Sequence, residues 1–200
     1  LRLSIDKDDR IVWFHCASAG EFEQGKPLIE EIKEKYPHLK ILVSFFSPSG
    51  YEVGKKYKHA DIITYLPADS KDNAKRFVKI VKPELVVFVK YEFWYHHLSA
   101  IAFKHIPTLL ISSIFRKDQV FFTWYGKFYR QILFLFRHIF VQDDASLQLL
   151  KEKNIIHCSI SGDTRFDRVK KIASHFYEIE LVKKFTANSP LFVAGSTWPE

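Results

Sequence analysis

The chain has 200 residues, 47% of them hydrophobic, and carries a formal charge of +7. That composition excludes a disordered chain and suffices for one large domain with a full core, or for one domain and a fraction of a second. The basic balance favours an acidic partner such as nucleic acid, phosphorylated lipid, anionic membrane or nucleotide, and charge alone does not choose among them.

In chain order, apolar runs of strand length alternate with helical patterns. "RIVWFHC" (Arg10–Cys16) is followed by a predicted helix from about Glu21 to Lys35, with Leu28, Ile29 and Ile32 on one face. "KILVSFF" (Lys40–Phe46) precedes "PSGYEVGKKY", and "DIITYLP" (Asp61–Pro67) precedes "DNAKRFVKIV". "ELVVFVK" (Glu84–Lys90) leads to "WYHHLSAIAFKH", and "PTLLISSIF" (Pro107–Phe115) to a long aromatic helix, "TWYGKFYRQILFLFRHI". "FVQD" then precedes "DASLQLLKEKN", and "HCSISGD" (His157–Asp163) precedes "TRFDRVKKIAS". The strands are continuous apolar runs, as expected when helices cover both sheet faces. The series reads as a Rossmann-like, doubly wound α/β domain with a mostly parallel sheet.

After Ala173 the pattern weakens, and "SPLFVAGS" reads as a new strand. The expected division is a domain over 1–173, a linker over 174–190 and the start of a second domain over 191–200. A first residue of Leu1 and an end inside a strand-and-turn, "LFVAGSTWPE", suggest a fragment cut at both ends. Every apolar run falls short of the roughly 18–20 residues that span a bilayer. Cys16 and Cys158 each follow a His inside a strand, which reads as buried, reduced thiols; the short paired spacing of a zinc site is missing, so no metal is expected.

In open α/β sheets ligands lie beyond the carboxyl ends of the strands, so the loops there carry the functional expectations. "CASAGEFEQG" is not a G-x-G-x-x-G loop, which argues against dinucleotide binding. Its Ser18-x-x-Glu21 fits a capping box. It also places Glu21 at a cleft as a general base, where the helix N-terminus would keep it ionised. In "KYEFWYHH", Glu92 and Trp94 either orient a polar substrate or cap and pack the next helix; His96 and His97 read as helix-surface residues. Arg165 in "SGDTRFD" either meets a phosphate or carboxylate or pairs with Asp163 or Asp167. "SFFSPSGYEVG" is a turn into a helix N-terminus of the kind that binds an anion through backbone amides.

Taken together, Ser18–Glu21, "PLI" in the following helix, "SPSG", "YLPAD", Glu92–Trp94, Asp163–Asp167 and Gly195–Thr197 resemble the bacterial 3-deoxy-D-manno-octulosonic acid (Kdo) transferases, over essentially the whole chain. The resemblance implies the N-terminal, acceptor-binding half of a two-domain GT-B enzyme in lipopolysaccharide synthesis. Such an enzyme transfers Kdo from CMP-Kdo to the lipid A precursor lipid IVA, with inversion, at the cytoplasmic face of the inner membrane. It implies Glu21 as catalytic base, Ser18, Gly20, Glu92, Trp94 and Arg165 on the acceptor, and Ser196 and Thr197 on the donor nucleotide. No cofactor is implied, because CMP is already a good leaving group. Partners are lipid IVA, CMP-Kdo and a membrane surface, without nucleic acid; the aromatic-basic stretch Phe115–Phe140, with Trp124, Lys127, Phe128 and Arg130, is expected at the lipid headgroups. Two departures from the family pattern stand out. The position two residues before Glu92 is Lys90 rather than an acid, and the usual Asn-Leu-Lys-Phe-Asp is Asp163-Thr164-Arg165-Phe166-Asp167. The alternatives are another GT-B nucleotide-sugar transferase or epimerase, and a basic, non-catalytic binding module.

Overall fold

In the computed structural model, residues 5–174, 179–186, 189–195 and 197 are described. Seven parallel strands form one sheet: β1 (Ile11–His15), β2 (Lys40–Phe45), β3 (Ile62–Tyr65), β4 (Leu85–Val89), β5 (Thr108–Ser113), β6 (His138–Val141) and β7 (Cys158–Ile160). Their order across the sheet is β3-β2-β1-β4-β5-β6-β7. The chain winds outward from β1 to β3, crosses back, and winds the other way from β4 to β7. Right-handed crossovers therefore place helices on opposite faces of the two halves. The reversal falls between β1 and β4, the place where doubly wound sheets open a crevice.

One face is covered by α1 (Ala19–Lys35) and α2 (Pro48–Gly54). It buries Phe14, Ile41, Val43, Val87 and Val89 from the strands against Phe22 and Ile29. The other face carries α3 (Lys71–Val81), α4 (Tyr95–Phe103), α5 (Lys127–Leu133) and α6 (Asp144–Glu152). There Trp13, Leu42, Val86, Phe88, Leu110 and Ile139 meet Phe77, Val78, Leu98, Ile101 and Ile132. Alternate residues of one strand thus enter two different cores, which is why the central strands β1, β2 and β4 are apolar over most of their length. Each fully buried large side chain, Trp13, Phe14 or Phe88 among them, contributes about 1.5–3 kcal/mol relative to exposure.

Close approach sets Gly50 and Gly126. A Cβ on Gly50 would sit 2.6 Å from Phe45 and 3.1 Å from the Ser18 backbone, so glycine lets α2 lie against the β1 loop. A Cβ on Gly126 would meet the Val120 carbonyl oxygen at 1.8 Å. That contact belongs to the largest departure from expectation. The long helix expected over Thr123–Ile139 is instead the seven-residue α5 and the start of β6, preceded by a short 3-10 turn (Val120–Phe122). The turn is closed by Thr123 Oγ1 donating to the Val120 carbonyl at 2.8 Å and by Arg130 donating to the carbonyls of Phe121 and Thr123, each at 2.9 Å. Arg130 is therefore spent on the backbone, not held out at a lipid headgroup.

The chain divides into two compact units, Leu1–Arg168 and Val169–Glu200, with α7 (Thr164–Ala173) spanning the division and α8 (Glu180–Thr186) in the second. Residues 191–195 are exposed and carry no assigned strand, against the expectation of one there. An apolar segment forms a strand only where a neighbour satisfies its amides. Ser196 lies outside the described residues, and Thr197 is exposed. Among the described residues no helix is long and apolar enough to cross a membrane, and no group of three His, Cys, Asp or Glu side chains is arranged around a metal. Cys16 and Cys158 are buried thiols.

Candidate active site

All seven strands run the same way, so the loops after them gather at one edge of the sheet. The β1 and β2 loops are joined there, with the amides of Phe46 and Ser47 donating to the Ala17 carbonyl at 3.2 and 2.8 Å. Ser18 is the N-cap of α1 and completes a capping box. Its Oγ accepts from the Glu21 amide at 3.4 Å, and Glu21 Oε2 accepts from the Ser18 amide at 2.9 Å. Gly20, exposed in the first turn, is uncrowded: a Cβ there would meet only Ser18 Oγ, at 3.9 Å.

The Glu21 carboxyl is nevertheless shifted towards its neutral form. Partial burial, and then the negative charge of Glu92, push its carboxyl above the ordinary value near 4.5; the Ser18 bonds and the Lys90 cation pull the other way without prevailing. This corrects the expectation that the helix N-terminus would dominate. One turn of helix field and one cap cannot outweigh desolvation plus a like charge. It also brings Glu21 and Glu92 into one crevice, one after β1 and the other after β4, on either side of the topological switch.

Glu92 is organised by side chains. Its Oε2 accepts from Trp94 Nε1 and lies 3.2 Å from His15 Nε2, with Glu92 12% exposed and His15 fully buried. His15 Nδ1 lies 2.9 Å from Ser44 Oγ, which accepts from Trp13 Nε1 at 2.7 Å. A carboxylate only accepts, so the network assigns the His15 proton to Nε2 and has Ser44 donate to Nδ1. The chain Trp13, Ser44, His15, Glu92 satisfies every member in turn. Trp94 packs edge-on to His15 at 5.3 Å and against Phe46 at 5.1 Å, forming an aromatic wall around the acid.

Glu92 does not cap α4. Trp94 is the N-cap residue and offers no side-chain bond. Asp69, from the β3 loop, accepts instead from the His96 and His97 amides at 3.2 and 3.1 Å and faces His97 Nδ1 at 2.8 Å. His97 is thus fully buried rather than on the helix surface, and burial, partly offset by Asp69, lowers its pKa.

Arg165 takes the bland alternative: it forks onto Asp163, with Nε at 2.8 Å and a terminal nitrogen at 2.6 Å. Burial raises the Asp163 carboxyl, but the bonds from Arg165 and Gln24 more than reverse this and hold it low. More than half of the Arg165 side chain remains exposed. Beside it, Thr164 donates to the Gln24 carbonyl at 2.8 Å and faces Ser112 at 3.1 Å, tying α7 to α1 and β5. The β2 loop offers a helix of only seven residues, whose Ser47 cap already takes the Gly50 amide at 3.1 Å.

His15 and Ser44 are the site residues that motif reading misses, while Asp69 and Lys90 lie inside motifs that give them no role. The first two are signalled in the sequence as polar residues near the ends of otherwise apolar strands; they are register partners across β1 and β2. Lys90 stands in the left-handed region at φ 71°, where β4 ends and the chain turns sharply towards Glu92.

Among solved structures, a UDP-N-acetylglucosamine 2-epimerase from Rickettsia bellii superposes with a TM-score of 0.65 over 89% of this chain and 51% of its own, at 13% identity. That likeness shows the fold, a Rossmann-like half of the GT-B class. Sequence relatives are more specific. The 3-deoxy-D-manno-octulosonic acid transferase of Rickettsia felis is 27% identical over 95% of this chain, and that of Haemophilus influenzae is 27% identical over 93%. The chain spans 41% and 44% of the lengths of those two relatives. The family model described as 3-deoxy-D-manno-octulosonic-acid transferase (kdotransferase) matches residues 2–168. The ordered strand-end loops, the paired acids at the switch point and this match over most of the chain place it in the Kdo transferase family.

Proposed function

We propose that this chain is the acceptor-binding part of an inverting glycosyltransferase that moves Kdo from CMP-Kdo to a lipid A precursor such as lipid IVA. The observation that carries the reading is the raised carboxyl of Glu21 beside Glu92 at the β1/β4 switch point. A sugar hydroxyl is too weak an acid to attack unaided, and a base whose pKa is lifted towards neutrality takes the proton more effectively than an ordinary carboxylate.

In this mechanism an acceptor hydroxyl lies over the exposed first turn at Gly20. Glu21 removes its proton as the new C–O bond forms to the anomeric carbon of Kdo, and the bond to CMP breaks with its electron pair leaving on the phosphate. The capping box fixes the Glu21 carboxylate while leaving Oε1 for the substrate. Glu92, held by His15 and Trp94, keeps the Glu21 pKa high and accepts from a further acceptor hydroxyl. Arg165, anchored by Asp163, offers its exposed side to an acceptor phosphate. Thr197 and Ser196 belong in this reading to the donor side, at the start of a second domain that follows a first domain over 1–173 and a linker over 174–190. The reaction takes place at the cytoplasmic face of the inner membrane.

The test is mass spectrometry of lipid IVA incubated with CMP-Kdo and the full-length protein. An added Kdo mass that disappears with Glu21→Gln supports the proposal. No added mass with the unmodified, folded protein overturns it.

A further inference from the structure

Away from the crevice, α3 and α4 leave between them a groove of about 750 Å³, lined by Lys71, Lys75, Lys79 and Lys104 over Val78, Ala100 and Phe103. Among the described residues no carboxylate lines it. Among the described residues none of these four lysines forms an ion pair. Phe103 stands 79% exposed at the end of α4, and Lys104 Nζ lies 5.8 Å from its ring centroid. At the other end of α4, Tyr95 packs on the half-exposed Phe128 at 5.1 Å, extending the apolar rim onto α5. Both helices begin at the sheet edge that carries Glu21 and Glu92, so the groove runs from the mouth of the crevice along the flank of the domain.

An exposed apolar strip bordered by cations only, whose lysines can lay their methylene stems along it and lift their charges outward, matches the boundary between acyl chains and anionic headgroups. Nucleic acid would use the charges but leave the exposed Phe103 without a partner. We infer that the α3–α4 groove is the face on which this domain docks to an anionic lipid bilayer. The lipid-facing surface is thereby placed on the lysines of α3 and α4 rather than on Trp124, Lys127 and Arg130. The inference extends the reading of a membrane-held acceptor, yet vesicle binding requires neither donor nor turnover, so its failure is distinguishable from failure of the transfer reaction.

The experiment is flotation of the 200-residue chain with phosphatidylcholine vesicles containing or lacking phosphatidylglycerol. Binding is expected only with the anionic vesicles. A lysine at such a surface is worth roughly fivefold in partition. The triple variant Lys75→Gln, Lys79→Gln, Lys104→Gln therefore binds about a hundredfold more weakly, with an unchanged thermal melt because all three side chains are exposed. Phe103→Ser weakens binding further, whereas Arg116→Glu with Lys117→Glu changes it less than twofold. Equal binding by the triple variant and the parent, a loss confined to the Arg116 and Lys117 variant, or tighter binding to an RNA oligonucleotide than to the anionic vesicles overturns the inference.

Discussion

The loops after β1 and β4 each present a glutamate to the same crevice, but they hold it by different means. Glu21 is fixed within three residues, by a reciprocal bond to Ser18 that any helix of this sequence would make. Glu92 is fixed from 77 residues away by His15 and, through it, by Ser44 on a third strand. The first acid owes its position to local backbone geometry and its raised pKa to tertiary burial. The second owes even its position to the sheet. The base proposed at Glu21 needs a defined place and a tuned proton affinity, and the two are set at different levels of structure.

The largest expected effect breaks the pair on the Glu21 side. In the full-length enzyme Glu21→Gln should lower the transfer rate by about two to four powers of ten, while a Gln still accepts the Ser18 amide and preserves the cap. The sign of the stability change follows from linkage. The folded Glu21 carboxyl titrates above its ordinary value near 4.5, so its contribution to stability is full below that value and is lost as pH rises through the folded pKa. Glu21→Gln is therefore expected to melt no lower than the parent at neutral pH, and a clear drop in Tm would show that the carboxylate serves the fold rather than the reaction.

On the Glu92 side, His15→Ala leaves a nearly buried carboxylate and Ser44 short of a partner, at a cost of about 1–3 kcal/mol in urea unfolding. A double-mutant cycle with Glu92→Gln should show coupling of about 0.5–3 kcal/mol. Strict additivity would separate His15 from the site.

Asp69→Ala tests whether the β4 loop depends on the cap that Asp69 places on α4. The expected loss is about 1 kcal/mol, and a fully additive effect with His97→Ala would show that the Asp69 contact to the buried ring carries no part of it.

The smallest effects are in the pH profile. Glu92→Gln removes a like charge from beside Glu21 and should move the acid limb of kcat/KM to lower pH, whereas Lys90→Gln removes the opposing cation and should move it to higher pH. Shifts of the same sign in both variants would dissolve the comparison of the two acids.

Much of this was legible in the chain itself. Seven uninterrupted apolar runs separated by amphipathic segments require a sheet covered on both faces, and S-x-x-E before a helix is a local signal that the backbone must use. Ser18, Glu21, Glu92 and the strand-end loops could therefore be singled out by position alone. The stretch Thr123–Ile139 reads as a helix because its apolar spacing is helical, while the contacts that fold it back, Gly126 on the Val120 carbonyl and Arg130 on two more, join residues whose proximity no periodicity announces. His97 looked like a surface residue for the same reason.

Sequence by itself thus determined the fold class and the local cap that positions Glu21, because hydrophobic period and capping depend on neighbours along the chain. Only the tertiary structure decided the proton affinity of Glu21, the His15 and Ser44 support of Glu92 and the lysine-lined groove. Burial, like-charge repulsion and the grouping of cations depend on distances through space, and those exist only once β1, β2 and β4 lie side by side.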